Sequence, residues 1–172
     1  TMDFSFQLDP GFVFTPRKYN LNFKYHKESL DDHKAFLGLA KNLGSYKMAD
    51  GINEDGLSCA ALYFEGYASY NEKDLEEAIN LTPDEFLHWV LAYNSSVDEL
   101  MESLDRINLV EAKIELIGKT PPLHWVVVDG QGKSIIIEPI DKTLKVYENQ
   151  VGVLTNSPDY AWHVTNLRNY IG

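Results

Sequence analysis

The longest stretch without a polar rhythm lies at residues 49–70, ADGINEDGLSCAALYFEGYASY. A Gly-Ile-Asn-Glu-Asp-Gly turn feeds a run at 57–64 that is apolar or small at nearly every position. A strand with one wet face alternates polar and apolar residues, whereas a strand covered on both faces does not. The run therefore predicts a strand deep in the molecule. Its last residues, Tyr63 and Phe64, emerge where a loop begins, and strand ends are where chemistry tends to be placed. Tyr63 is thus expected at the edge of a site. Two further runs, LHWVVVD at 123–129 and SIIIE at 134–138, are joined by Gly130-Gln131-Gly132 and predict antiparallel neighbours.

Elsewhere the apolar positions alternate. Met2, Phe4 and Phe6 share one side of a strand at 2–7, and a strand at 12–15 follows the turn Leu8-Asp9-Pro10-Gly11, which predicts a hairpin. Residues 36–41 and 47–50 frame a turn at 42–45, and 143–147 and 151–156 read as further strands. Residues 18–33 read as loop with extended pieces, and the acidic segment 71–78 as a solvated connection. Thr82, Pro83 and Glu85 form a helix start with cap, first-turn proline and capping box. Ser96 and Glu99 repeat the box and open a second helix through about Ile107, and Ser157-Pro158-Asp159 opens a third to about Tyr170. Strands, a helix pair, strands and a helix, with several strands covered twice, predict an α+β fold. The arrangement that covers every face is a four-layer αββα sandwich of two mostly antiparallel sheets.

Composition adds limits rather than function. A chain of 172 residues reads as one domain with a substantial core. No apolar run approaches the roughly 20 residues needed to span a bilayer, so no membrane partner is expected. A net charge of −11 argues against nucleic acid, whose binding rests on cationic contacts. The single cysteine, Cys59, excludes an intramolecular disulfide, and a reducing, cytoplasmic setting fits. Cys59 sits mid-strand, where a buried, inert thiol is expected. The five histidines, 26, 33, 88, 124 and 163, lack metal-ligand spacing and read as structural, so neither metal nor cofactor is expected. By pattern alone Asp3 is a solvated carboxylate, Asn156 a turn former before Ser157-Pro158, and Asn53-Glu54 part of a turn.

Five segments recur in order in a known family: TMDF at 1–4, ADGINEDGL at 49–57, ALYFEGY at 61–67, PLHW at 122–125 and GVLTNSP at 152–158. Together they closely resemble the choloylglycine hydrolase family, which contains penicillin V acylases and conjugated bile salt hydrolases. The resemblance runs the length of the chain and implies the αββα fold of N-terminal nucleophile hydrolases. It implies that a processed N-terminal cysteine, whose own amine acts as base, attacks a linear amide to give a thioester that water cleaves. By similarity, the backbone N–H of Tyr63 and the side-chain amide of Asn156 are the oxyanion donors, and Asp3 holds the nucleophile. The family's cysteine and an arginine lie upstream of the first residue here, and a second arginine lies in a later portion. The chain is therefore expected to be an inactive fragment spanning roughly the first half of a member. Thr1, a possible nucleophile by itself, is placed by the resemblance inside a strand beside the site.

Tyrosine at position 63 is the form found in penicillin V acylase-like members. Its ring, with Met2 lining the acyl pocket, suggests stacking on a phenoxyacetyl group. Penicillin V is the expected substrate, with conjugated bile salts and N-acyl homoserine lactones as alternatives. A homo-oligomer, commonly a tetramer in the family, is the implied assembly. A non-catalytic binding or assembly module on the same sandwich is the reading from a different class.

Overall fold

The computed structural model describes residues 9–25, 32–115 and 117–170. Seven strands form one antiparallel sheet: β1 (Gly11–Thr15), β2 (Phe36–Asn42), β3 (Tyr46–Asn53), β4 (Ser58–Tyr63), β7 (Leu123–Val128), β8 (Ser134–Ile140) and β9 (Thr143–Glu148), in that spatial order. Two short strands, β5 (Ile79–Leu81) and β6 (Ile107–Leu109), make a separate parallel ladder. Between them run α1 (Pro83–Tyr93) and α2 (Val97–Leu104), and α3 (Tyr160–Leu167) follows β9. The seven-stranded antiparallel sheet and the three helices agree with the α+β class.

The apolar 57–64 run becomes β4, fourth of the seven strands. Its partner β7 aligns Cys59 with Val127 and Ala61 with Trp125, and these four side chains point to one face, where they are buried. Helix α1 packs there, with the Phe86 ring 4.4 Å from Trp125 and Leu91 lying against Gly51. A Cβ on Gly51 would stand 2.8 Å from a Leu91 methyl, so only glycine admits this approach. The opposite face is less covered. Ala60 and Leu62 are half-buried, while Phe12, Phe14, Leu37 and Ile52 are exposed. Thus the central strand is sealed completely on one side and partly on the other among the described residues.

Helix α1 starts as expected: the Glu85 carboxylate accepts from the N–H of Thr82 at 2.9 Å and, across the chain, from that of Lys24 at 2.8 Å. In α2 the Ser96 hydroxyl accepts from the N–H of Glu99, but Glu99 reaches back to Ser95 rather than Ser96. The helix also ends at Leu104, because residues 107–109 leave to pair with β5. A three-residue parallel pairing has no periodicity to announce it.

One other expectation changes. Residues 151–156 form no strand: Gly152 adopts φ of +77°, its N–H goes to the Asn149 side chain, and Val151 and Val153 are exposed. The hairpin expected at 2–15 cannot be traced, since residues 2–7 lie outside those described, and the described partner of β1 is β2. No helix of the described residues is long and apolar enough to cross a membrane.

Candidate active site

Tyr63 is the last residue of β4, and the chain turns away through Glu65 and Gly66, the latter at φ +83°. The loop between β9 and α3 comes back to this strand end. The N–H of Tyr63 donates to Asn156 Oδ1 at 3.1 Å, joining residues 93 apart in sequence. The Ser157 N–H returns a bond to the Tyr63 carbonyl at 3.2 Å, and the Ser157 hydroxyl donates to the Glu65 carbonyl at 2.8 Å. Helix α3 then secures the loop. Asp159 caps it by accepting from the Trp162 N–H at 2.8 Å, and His163 Nε2 lies 3.0 Å from the Asn156 carbonyl. A carbonyl only accepts, so Nε2 carries the proton in that contact. Both Tyr63 and Asn156 are half-buried, which leaves a small molecule a route to them.

Charge lies at the rim. The Lys119 ammonium sits 5.4 Å over the Tyr63 ring and 2.9 Å from the Glu65 carboxylate. The hydrogen bond from Lys119 lowers the pKa of Glu65, and contacts with Tyr63 and Glu65 raise that of Lys119. The aromatic face of Tyr63 therefore already has a cation against it. Beneath the strand end, the Phe64 ring stacks on the His124 imidazole at 4.3 Å with 10° between planes. His124 Nδ1 lies 3.1 Å from Glu138 Oε1, and both side chains are fully buried.

The structure thus brings together Tyr63 and Asn156 of the expected site residues, while Asp3 and Met2 lie outside the described residues. Asn53 is structural. Its amide nitrogen donates to the carbonyls of Leu91 and Asn94, and its oxygen accepts from the N–H groups of Asp55 and Leu57. Glu54 pairs with Arg17 and accepts from the Ala35 N–H. Cys59 is buried, and burial pushes its thiol pKa far up, the opposite of what a nucleophile needs. Among the described residues no three His, Cys, Asp or Glu side chains gather as a metal site would require. A cleft of about 510 Å³ opens beside β1, lined by Phe12, Tyr46 and His88 among others, and includes neither Tyr63 nor Asn156. Pattern reasoning missed His124, Glu138 and His163 as neighbours of the site. The available signal was a polar residue interrupting each of two apolar runs joined by a tight turn.

A model of the linear amide C–N hydrolases, choloylglycine hydrolase family, matches residues 1–172. A bile salt hydrolase/transferase of Clostridium perfringens is 41% identical over 172 residues, covering 99% of this chain and 52% of that protein. A crystal structure of a mutant conjugated bile acid hydrolase from Clostridium perfringens resembles the fold with a TM-score of 0.88 at 40% identity, over 97% of this chain and 51% of that one. A penicillin V acylase of Pectobacterium atrosepticum is 30% identical over 125 residues, covering 71% of this chain and 33% of that protein. The chain spans about half the length of the bile salt hydrolase relatives it matches.

Proposed function

Because this chain belongs to the choloylglycine hydrolase family of linear amide C–N hydrolases, we propose that it carries the oxyanion-binding half of an amidase site. The observation that carries the reading is the meeting of the Tyr63 N–H with the Asn156 side chain at 3.1 Å, at the end of the central strand. An acyl transfer develops negative charge on the carbonyl oxygen, and two preorganised donors lower that barrier. In the resting arrangement the Tyr63 N–H is satisfied by the amide oxygen of Asn156. The substrate oxygen takes that acceptor's place, and rotation of the amide presents Nδ2 as the second donor.

The nucleophile in this reading is the N-terminal cysteine thiol that the family resemblance implies, since Cys59 is buried. Its sulfur bonds the amide carbon, the C–N bond breaks as the amine leaves with a proton, and water cleaves the thioester to a free acid. Asp3 is assigned to hold the nucleophile's amine, and Met2 to line the acyl side.

For the substrate, the comparisons favour bile salt conjugates over penicillin V. Identity to the bile salt hydrolase/transferase is 41% over 99% of this chain, against 30% over 71% for the penicillin V acylase. The argument for penicillin V rested on an open aromatic wall at Tyr63, and Lys119 occupies that ring. The same ammonium at the rim suits an amide whose released amine carries a carboxylate, as in glycine conjugates. The deciding measurement is kcat/KM for glycocholate and penicillin V, using the polypeptide translated from the whole reading frame that encodes this segment. Glycocholate is expected to be the better substrate; a preference for penicillin V overturns the choice, and no turnover of either overturns the amidase reading.

A further inference from the structure

Burying an imidazole and a carboxylate together carries a desolvation cost that an apolar pair of similar shape does not. Such a pair therefore needs a directional reason to be there. His124 on β7 and Glu138 on β8 are both 0% exposed and face each other across the two strands at 3.1 Å. Among the described residues, His124 Nε2 and Glu138 Oε2 have no further partner, so the pair is not explained by satisfying a network.

What each touches gives the reason. Above the imidazole lies Phe64, stacked at 4.3 Å and covalently next to Tyr63, whose N–H is the first proposed donor. The carboxylate Oε1 accepts from the N–H of Tyr160 at 2.9 Å. That N–H is the first of α3 and would otherwise be one of the helix's unpaired donors. Helix α3 in turn holds Asn156, the second proposed donor, through His163. One buried pair thus contacts the limb that carries Tyr63 and the limb that carries Asn156.

We infer that His124 and Glu138 are positioning residues that hold the two oxyanion donors in register. The imidazole fixes the Tyr63–Phe64 end of β4, and the carboxylate pins the start of α3 and the loop before it. Neither touches the substrate. The inference rests on the oxyanion reading of Tyr63 and Asn156. An apolar pair could fill the same volume but offers no acceptor for the Tyr160 N–H, whereas a glutamine at 138 keeps one at the same length.

The test uses the full-length polypeptide with 15N-labelled tyrosine and asparagine, comparing Glu138→Leu, Glu138→Gln, His124→Phe and an Asn156→Ala control. Glu138→Leu is expected to lower kcat about 100-fold with KM within about threefold, because donors displaced from the transition state lose rate rather than ground-state binding. It should also shift the Tyr63 backbone and Asn156 side-chain resonances. Glu138→Gln should recover kcat to within about tenfold of the parent and restore both resonances. His124→Phe keeps the stack and loses only the bond to Glu138, so its loss should fall between the two. Should Glu138→Leu not yield folded protein, His124→Phe against Glu138→Gln carries the same comparison. The inference is overturned if the variants lower only Tm, if Glu138→Gln fails to restore kcat, or if the two resonances stay at their parental positions. An Asn156→Ala variant with full activity sinks the oxyanion reading instead, and the resonances then decide the positioning role alone.

Discussion

His88 and Glu54 show how single side chains set the response of this molecule to acid. The His88 imidazole is half-buried on α1 against Phe36, and its pKa is lowered to about 4, chiefly by burial and then by the nearby Lys47 ammonium, which is paired with Asp84. Glu54 is lowered to about 2, chiefly by its hydrogen bond from Arg17 and then by the Ala35 N–H. In both cases the folded state binds fewer protons than the unfolded one. Stability therefore rises with pH through each window and is lost on acidification. His88 acts between about 6.5 and 4, and Glu54 between about 4.5 and 2. Unfolding temperature measured from pH 7 to pH 3 is expected to fall through both windows. His88→Gln should flatten the upper fall and Glu54→Gln the lower, with little crossover because the two side chains share no partner. If His88→Gln leaves the slope between pH 6.5 and 4 unchanged, the imidazole is not held neutral by the fold.

Among the elements, the start of α1 depends most on one residue. Glu85 closes the capping box on Thr82 and also ties down the Lys24 N–H from a loop 61 residues away. Removing a buried acceptor strands both donors, so Glu85→Ala should cost roughly 2–3 kcal/mol in chemical denaturation, and Glu85→Gln should recover about half. This cap was legible in the sequence because its signal is local: Thr82, Pro83 and Glu85 act within one turn. Strands β4, β7 and β8 were legible for a related reason, their apolar runs being bounded by glycine turns. The β7–β8 turn even fixes the register that sets Trp125 opposite Ile137, and hence His124 opposite Glu138. What the pattern could not supply is long-range choice. The parallel pairing of β5 with β6 and the return of Asn156 to Tyr63 depend on contacts dozens of residues apart, whereas the strand missing at 151–156 gives way to a local turn at Gly152 held by the Asn149 side chain. Asn156 stands out in the pattern as an amide before Ser157-Pro158, but Asn-Ser-Pro fits an ordinary turn, and only the family resemblance gives it a role as a donor.

For the molecule as a whole, the two faces of the seven-stranded sheet differ. One is closed by α1. On the other, register carries one continuous apolar strip across three strands: Phe12 pairs with Leu39, Phe14 with Leu37, and Leu37 with Ile52. Phe12 is 80% exposed, Phe14 64% and Ile52 47%. A two-sheet sandwich buries such a strip between its layers, so its exposure here matches a face built for packing rather than for water. The strip also ends on β1, which is an edge strand of the sheet with no described neighbour beyond it. An apolar strip on an unpaired edge is a site for association with another chain. The 172-residue chain expressed alone is therefore expected to bind a hydrophobic dye and to sediment above the mass of a monomer. A Phe12→Lys, Phe14→Lys double variant should lose most of both signals. It should keep its helical circular dichroism, because neither side chain belongs to the core beneath α1. A parental chain that stays monomeric and dark to the dye would show that this face is covered from within the 172 residues themselves.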